Sequence, residues 1–157
     1  MLADLWLDRW LPEIGVRTRG RPVLEIGCGN GDDTRTLLDA GFDVVAFDLS
    51  AAAVQRARLR APAAHIEQRD VRDPFPSDAT GLGVVVASLS LHYFAWDETL
   101  ALFERIRALL RRNETSRAEG QANAGAASAQ IDHFIHSANA YAGTIEGATT
   151  YQPGSIL

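Results

Sequence analysis

Short apolar runs alternate with amphipathic stretches from the start of the chain to about residue 112. Leu2, Leu5, Trp6, Leu7, Trp10 and Leu11 form a stripe that predicts a short helix over 2 to 11, closed by Pro12. Val23-Leu24-Glu25-Ile26 is short, apolar and bounded by turn residues, the signature of a strand covered on both faces. Glycines then lead into a helix carrying Leu37 and Leu38, which Gly41 stops. Val44-Val45-Ala46-Phe47 predicts a second buried strand ending on Asp48, and Ser50 caps a helix of Ala and Arg that runs to Arg60, with Pro62 beyond it. The more polar stretch from Ala64 to Arg69 reads as an edge strand ending on Asp70-Val71. Gly83 to Ser88 is the clearest strand of all. Asp97 then caps a helix with Leu100, Phe103, Ile106 and Leu110 on one face.

Strand and helix thus alternate four times with short connections. That pattern predicts an α/β fold, a doubly wound parallel sheet with helices on both faces. The pattern stops after Arg112. Residues 113–157 hold one Arg (Arg117), no Val, no Leu before Leu157, and ten Ala among 45 residues. Buried parallel strands need branched apolar runs to offset the cost of ordering their backbone, and none is present here. The expectation is therefore a domain at 1–112 and an Ala-rich tail at 113–157, partly helical or disordered. One helix near 126–142 is read from the spacing of Ile131, Phe134, Ile135, Ala138 and Tyr141. The sheet would then be incomplete on its C-terminal side and stop at Val84 to Ala87, an open edge that would promote homo-oligomers.

Composition narrows the class. A chain of 157 residues with 46% hydrophobic content suits one core. The net charge of −5, without runs of like charge, lacks the basic footprint of a nucleic-acid binder. A single Cys28 leaves no internal disulfide and fits a reducing compartment. Met1 to Leu5 has no basic region and carries Asp4, unlike a secretory leader, and no stretch approaches the roughly 18 apolar residues of a membrane span. A cytoplasmic protein without membrane or nucleic-acid partners is the expectation.

The chemistry gathers at strand ends. Gly27-x-Gly29-x-Gly31 follows the first strand and opens a helix, an arrangement that exposes backbone N–H groups and lets a ligand approach the main chain. A dinucleotide fingerprint would have its third glycine where Asp32 stands, and an acid beside a pyrophosphate is repulsive. A cationic, phosphate-free cofactor tolerates Glu25, Asp32 and Asp33. Asp48, ending the second strand, has two carboxylate oxygens for a ribose diol. Asp70, ending the third, has an acceptor for an adenine amino group, with Val71 to pack on the ring. The fourth strand brings Ala87, Ser88 and Leu89 to the same edge.

As a set, Val23 to Gly31, Ala46-Phe47-Asp48-Leu49-Ser50, Arg69-Asp70-Val71 and Val86-Ala87-Ser88-Leu89-Ser90-Leu91-His92-Tyr93 resemble successive motifs of class I S-adenosylmethionine-dependent methyltransferases. The small bacterial enzymes of that superfamily acting on small molecules are the nearest likeness, over about residues 1 to 112. The resemblance implies S-adenosyl-L-methionine as cofactor and a small-molecule methyl acceptor. It assigns Glu25, Gly27, Gly29 and Gly31 to the methionine part, Asp48 to the ribose, Asp70 and Val71 to the adenine, and Ser88 to the cofactor's edge, with Leu49 as a further cofactor-binding residue. His92 is the candidate general base, with a structural role as its equal alternative.

Such enzymes continue with a Pro-Gly-Gly turn, a fifth strand, a helix and an antiparallel pair, whereas here Arg111-Arg112 leads to Asn113-Glu114-Thr115. An inactive cofactor-binding fragment with a replaced C-terminus is therefore the second reading, and an NAD-dependent oxidoreductase, disfavoured by Asp32, is the third. No metal site is expected: Cys28 has no partner cysteine, and His133 and His136, although spaced i, i+3, lack an acidic third ligand. Leu89, Leu91, Phe94 and Trp96 either line an acceptor pocket or pack under the capping helix.

Overall fold

Val23–Ile26 (β1) is buried at all four positions and lies at the centre of a parallel sheet. In a computed structural model, which describes residues 6–88, 90–120 and 134–137, the remaining strands are Val44–Asp48 (β2), His65–Gln68 (β3), Val84–Ser88 (β4) and Phe134–Ser137 (β5). Their order is β3-β2-β1-β4-β5, with Val23 opposite Val44 on one side and Val84 on the other. The polar β3 is an edge strand, as its composition predicts.

Strand periodicity sorts the core into two layers. Val23, Ala46, Val84 and Val86 face Ile14 of helix α1 (Leu11–Thr18), Leu37 of α2 (Asp32–Asp39), and Val54 and Ala57 of α3 (Ala51–Arg60). Leu24, Ile26, Phe47, Val85 and Ala87 face Leu102, Ile106 and Leu110 of α4 (Trp96–Gly120). Helices therefore cover both faces. Ser50 caps α3 as expected, its hydroxyl accepting from the N–H of Ala53 at 3.2 Å.

Four expectations are corrected. Pro12 does not close a helix but opens one: it sits in the first turn of α1, where its missing N–H would have had no helical partner anyway. Residues 8–10 ahead of it form a 3₁₀ turn, and 1–5 lie outside the described residues. Asp97 lies inside the first turn of α4 with Glu98, where it meets the positive end of the helix dipole, rather than at its cap. Leu100 is 46% exposed; Leu102, Ile106 and Leu110 of α4 pack in the layer on the sheet, with Phe103 and Leu109 partly buried against it.

The fourth correction concerns the sheet. It does not stop at the Val84 strand: β5 pairs with β4 in parallel, Val85 opposite Phe134 and Ser88 opposite Ser137. A terminal strand has one neighbour, so four residues with two apolar members suffice, and the composition required of a central strand does not apply. Strand replaces the helix expected near 126–142 at 134–137, and the other residues of that span lie outside those described. β4 is therefore interior, and the terminal strand on this side is β5.

Candidate functional site

The chain leaves β1 towards β2 on one side and reaches β4 on the other, so the carboxyl ends of β1 and β4 flank a topological switch point. Open α/β sheets bind ligands in the crevice formed there. The loop after β1 occupies it. Gly27, Gly29 and Gly31 all have positive φ, at 73°, 53° and 83°, but their surroundings differ. A Cβ on Gly27 would fall 2.5 Å from the Cβ of Ser90, and one on Gly31 would fall 2.8 Å from the Cα of Ala57 in α3. A Cβ on Gly29 would meet nothing within 4 Å. The outer glycines allow packing of chain on chain, and the middle one borders open space.

Four of the loop's backbone donors have partners in the fold. The N–H groups of Gly27 and Cys28 both donate to the carbonyl of Phe47, at 2.9 and 3.1 Å, and that of Gly31 donates to the carbonyl of Cys28 at 2.9 Å. The N–H of Gly29 donates to Asp48 Oδ2 at 2.9 Å, while Asp48 Oδ1 accepts from the N–H of Ser50 at 2.8 Å. Asp48 thus ties the glycine loop to the end of β2. Each of its oxygens retains a lone pair for a ligand hydroxyl. The exposed N–H groups expected of the loop are committed at these four positions. Nor is the charge of Asp32 free to repel a phosphate, because it is paired with Arg60.

Beneath the loop lies Glu25, 1% exposed, its Oε2 accepting from the Thr34 hydroxyl at 2.6 Å. Loss of water pushes its carboxyl up to about 8; the Thr34 bond opposes this, and the negative charges of Asp33 and Asp48 add to it. Burial, with Glu25 and Asp48 nearby, likewise pushes the Cys28 thiol up to about 12, so it is an inert packing residue. The Trp6 indole N–H donates to both carboxylate oxygens of Asp33, at 3.2 and 3.1 Å, pinning the start of α2.

The loop after β3 forms the other flank. Asp70 Oδ1 accepts from the N–H of Arg72 at 2.9 Å, and Val71 is already packed in the core layer under α4. Arg105 of α4 holds this loop, donating to the carbonyl of Val71 at 2.7 Å and to those of Arg72 and Asp73, with its guanidinium 4.8 Å above the Phe75 ring. Leu49, beside Asp48, is 63% exposed. Ser88 ends β4, half-buried. His92 lies on the 3₁₀ turn Leu91–Tyr93 just after it, and its side chain, like Leu89, is outside the described residues.

A family model described as a methyltransferase domain matches residues 23–113, more than half of the chain. The chain belongs to the methyltransferase domain family. It is 38% identical over 50 residues to the ubiquinone biosynthesis O-methyltransferase of Bordetella avium, covering 32% of this chain and 21% of that protein. To the trans-aconitate 2-methyltransferase of Paracidovorax citrulli it is 35% identical over 80 residues, 50% of this chain and 31% of that one. Among solved structures, an S-adenosylmethionine-dependent methyltransferase from Mesorhizobium loti superposes with a TM-score of 0.53 at 25% identity, covering 66% of this chain and 48% of its own. The matches span less than half the length of each of these proteins.

Of the residues named for this methyltransferase domain from sequence, Gly29 and Asp48 meet directly at the open space, with Glu25 under them and Gly27 packed on Ser90 beside them. Gly31 faces α3 instead, and Val71 is committed to the core. Sequence reasoning missed Thr34, Arg105 and Ser90. Thr34 and Arg105 act through contacts 9 and 34 residues away in the chain, which no local pattern reveals. Ser90 belongs to the motif around the end of β4, but only the fold brings it to Gly27. Among the described residues no group of three or more His, Cys, Asp or Glu is placed to hold a metal, and no helix is long and apolar enough to cross a membrane.

Proposed function

We propose that the chain binds S-adenosylmethionine at the switch point and transfers its methyl group to a small-molecule acceptor. The observation that carries this reading is the open flank of Gly29, beside a carboxylate on β2 and within a loop where the N–H groups of Gly27, Cys28, Gly29 and Gly31 are already committed. Such a loop admits a ligand to its main chain while keeping these four donors from a phosphate. S-adenosylmethionine supplies an activated methyl on a sulfonium, so the protein contributes mainly position. Asp48 would accept the ribose hydroxyls, Leu49 and Asp70 would border the adenine, and Ser88 would lie at the cofactor's edge. His92 is the general base where the acceptor has a proton to lose. The carboxylates around the loop, Asp48 beside Gly29 above all, favour a cation.

The test is a calorimetric titration with S-adenosylhomocysteine, and separately with NAD. Saturable binding of the first and none of the second supports the reading. The reverse order would replace it with an oxidoreductase.

A further inference from the structure

A hydroxyl without a partner lies against the glycine loop. Ser90, two residues past β4, has its Oγ buried and unpaired. A Cβ on Gly27 would fall 2.5 Å from Ser90 Cβ and 3.2 Å from Oγ, so the two residues are in direct contact across the switch point. Stripping water from a hydroxyl without replacing its hydrogen bond is costly, and such groups in native proteins call for an explanation. A ligand that completes the bond is one.

The strand order says which part of the ligand this would be. Across the edge from β3 to β4 come Asp70, Asp48, the glycine loop and Ser90. With adenine at Asp70 and ribose at Asp48, the amino-acid end falls at the open flank of Gly29, on the side of the loop where Ser90 packs on Gly27. Its ammonium is drawn towards the carboxylate of Asp48, whereas its carboxylate needs donors. The N–H groups of Gly27, Cys28, Gly29 and Gly31 are committed elsewhere; the Ser90 hydroxyl is not.

We propose that Ser90 is a cofactor-binding residue whose Oγ–H donates to the carboxylate at the amino-acid end of S-adenosylmethionine. This rests on the cofactor reading of the switch point. It is tested with two ligands, S-adenosylhomocysteine and 5′-methylthioadenosine, which lacks the amino-acid end, titrated into the wild-type chain and Ser90→Ala. The variant should bind S-adenosylhomocysteine about tenfold or more weakly, the scale of a hydrogen bond to a charged group, and bind methylthioadenosine as the wild type does. Without ligand it should melt at or above the wild-type temperature, having lost an unpaired buried hydroxyl. Unchanged affinity for S-adenosylhomocysteine, equal losses for both ligands, or a lower melting temperature without ligand would each overturn the proposal. A wild-type chain that binds neither ligand would instead refute the cofactor reading.

Discussion

Glu25→Gln should make the cofactor-free protein more stable, and increasingly so as the pH rises. In the folded chain the Glu25 carboxyl is raised from its ordinary 4.5 to about 8, because a fully buried carboxylate loses its water and recovers only one hydrogen bond from a side chain, that of Thr34. A raised acid favours the fold fully below its unfolded value, and the contribution is lost as pH climbs through its folded value. Each pH unit between 4.5 and 8 therefore costs the wild type about 1.4 kcal/mol from this group. By pH 7 the accumulated loss is of the order of 3 kcal/mol, and near pH 8 it levels off.

Glutamine keeps an oxygen for the Thr34 hydroxyl and never ionises. Its NH₂ group brings donors that need partners, a penalty of about 1–3 kcal/mol that does not change with pH. The readout is consequently the slope, not the offset. Urea unfolding followed by circular dichroism, at intervals from pH 5 to 9, should show the two proteins diverging by about 1.4 kcal/mol per unit up to pH 8 and running parallel above it. The Cys28 thiol, pushed to about 12, does not titrate in this window. Parallel curves throughout would show that Glu25 ionises in the fold at no cost, and the account of its burial would be wrong.

Asp48→Ala should weaken S-adenosylhomocysteine by tenfold or more in calorimetry, because it removes ligand acceptors and also frees the N–H groups of Gly29 and Ser50, about 1.5–3 kcal/mol on the scale of charged hydrogen bonds; unchanged affinity removes Asp48 from the site. Gly29→Ala should fold, at about 1–2 kcal/mol for a left-handed residue, yet lose the cofactor, whereas Gly27→Ala should fail to fold because its Cβ would lie 2.5 Å from Ser90 Cβ; circular dichroism and ligand titration separate the two, and equal behaviour would contradict the geometry. Arg105→Ala should speed amide exchange across 70–75 by freeing three carbonyls, with β1 protection unchanged; identical exchange would show that the guanidinium does not hold the loop.

The parts of the fold most legible in the sequence were those where one physical demand acts alone. β1, β2 and β4 are buried on both faces, and only continuous apolar runs satisfy that. The cap at Ser50 and the stop at Gly41 are local chemistry, readable from one or two residues. Pro12 was ambiguous because proline is tolerated at a helix start and excluded from a helix interior, so its place depends on whether the residues after it continue the helix. Leu100 and Leu102 are equally apolar, and only the direction in which α4 crosses the sheet decides which is buried. β5 was hidden because an edge strand asks for so little. At the site, Asp48 and the glycines were legible because strand-end acids and strand-to-helix glycines have positional meaning. Ser90 and Thr34 become significant only through the residues that fold against them.

The same contrast governs how the site tells a sulfonium nucleoside from a dinucleotide. From sequence, Asp32 carried the discrimination as a charge placed where a pyrophosphate would lie. In the fold Arg60 pairs with Asp32, so that charge is largely offset. In the proposed reading, the hydrogen bonding of Gly27, Cys28, Gly29 and Gly31 is what disfavours a pyrophosphate at the loop. A phosphate-binding loop turns its N–H groups outward to an anion, whereas here those of Gly27, Cys28 and Gly31 close on main-chain carbonyls and that of Gly29 on Asp48. A pyrophosphate would have to break these bonds before making its own, and would do so against the carboxylate of Asp48. Relieving the charge without freeing the donors should therefore change little. Asp32→Asn should leave NAD unbound, and measurable NAD binding by that variant in the same calorimeter would return the discrimination to the charge of Asp32.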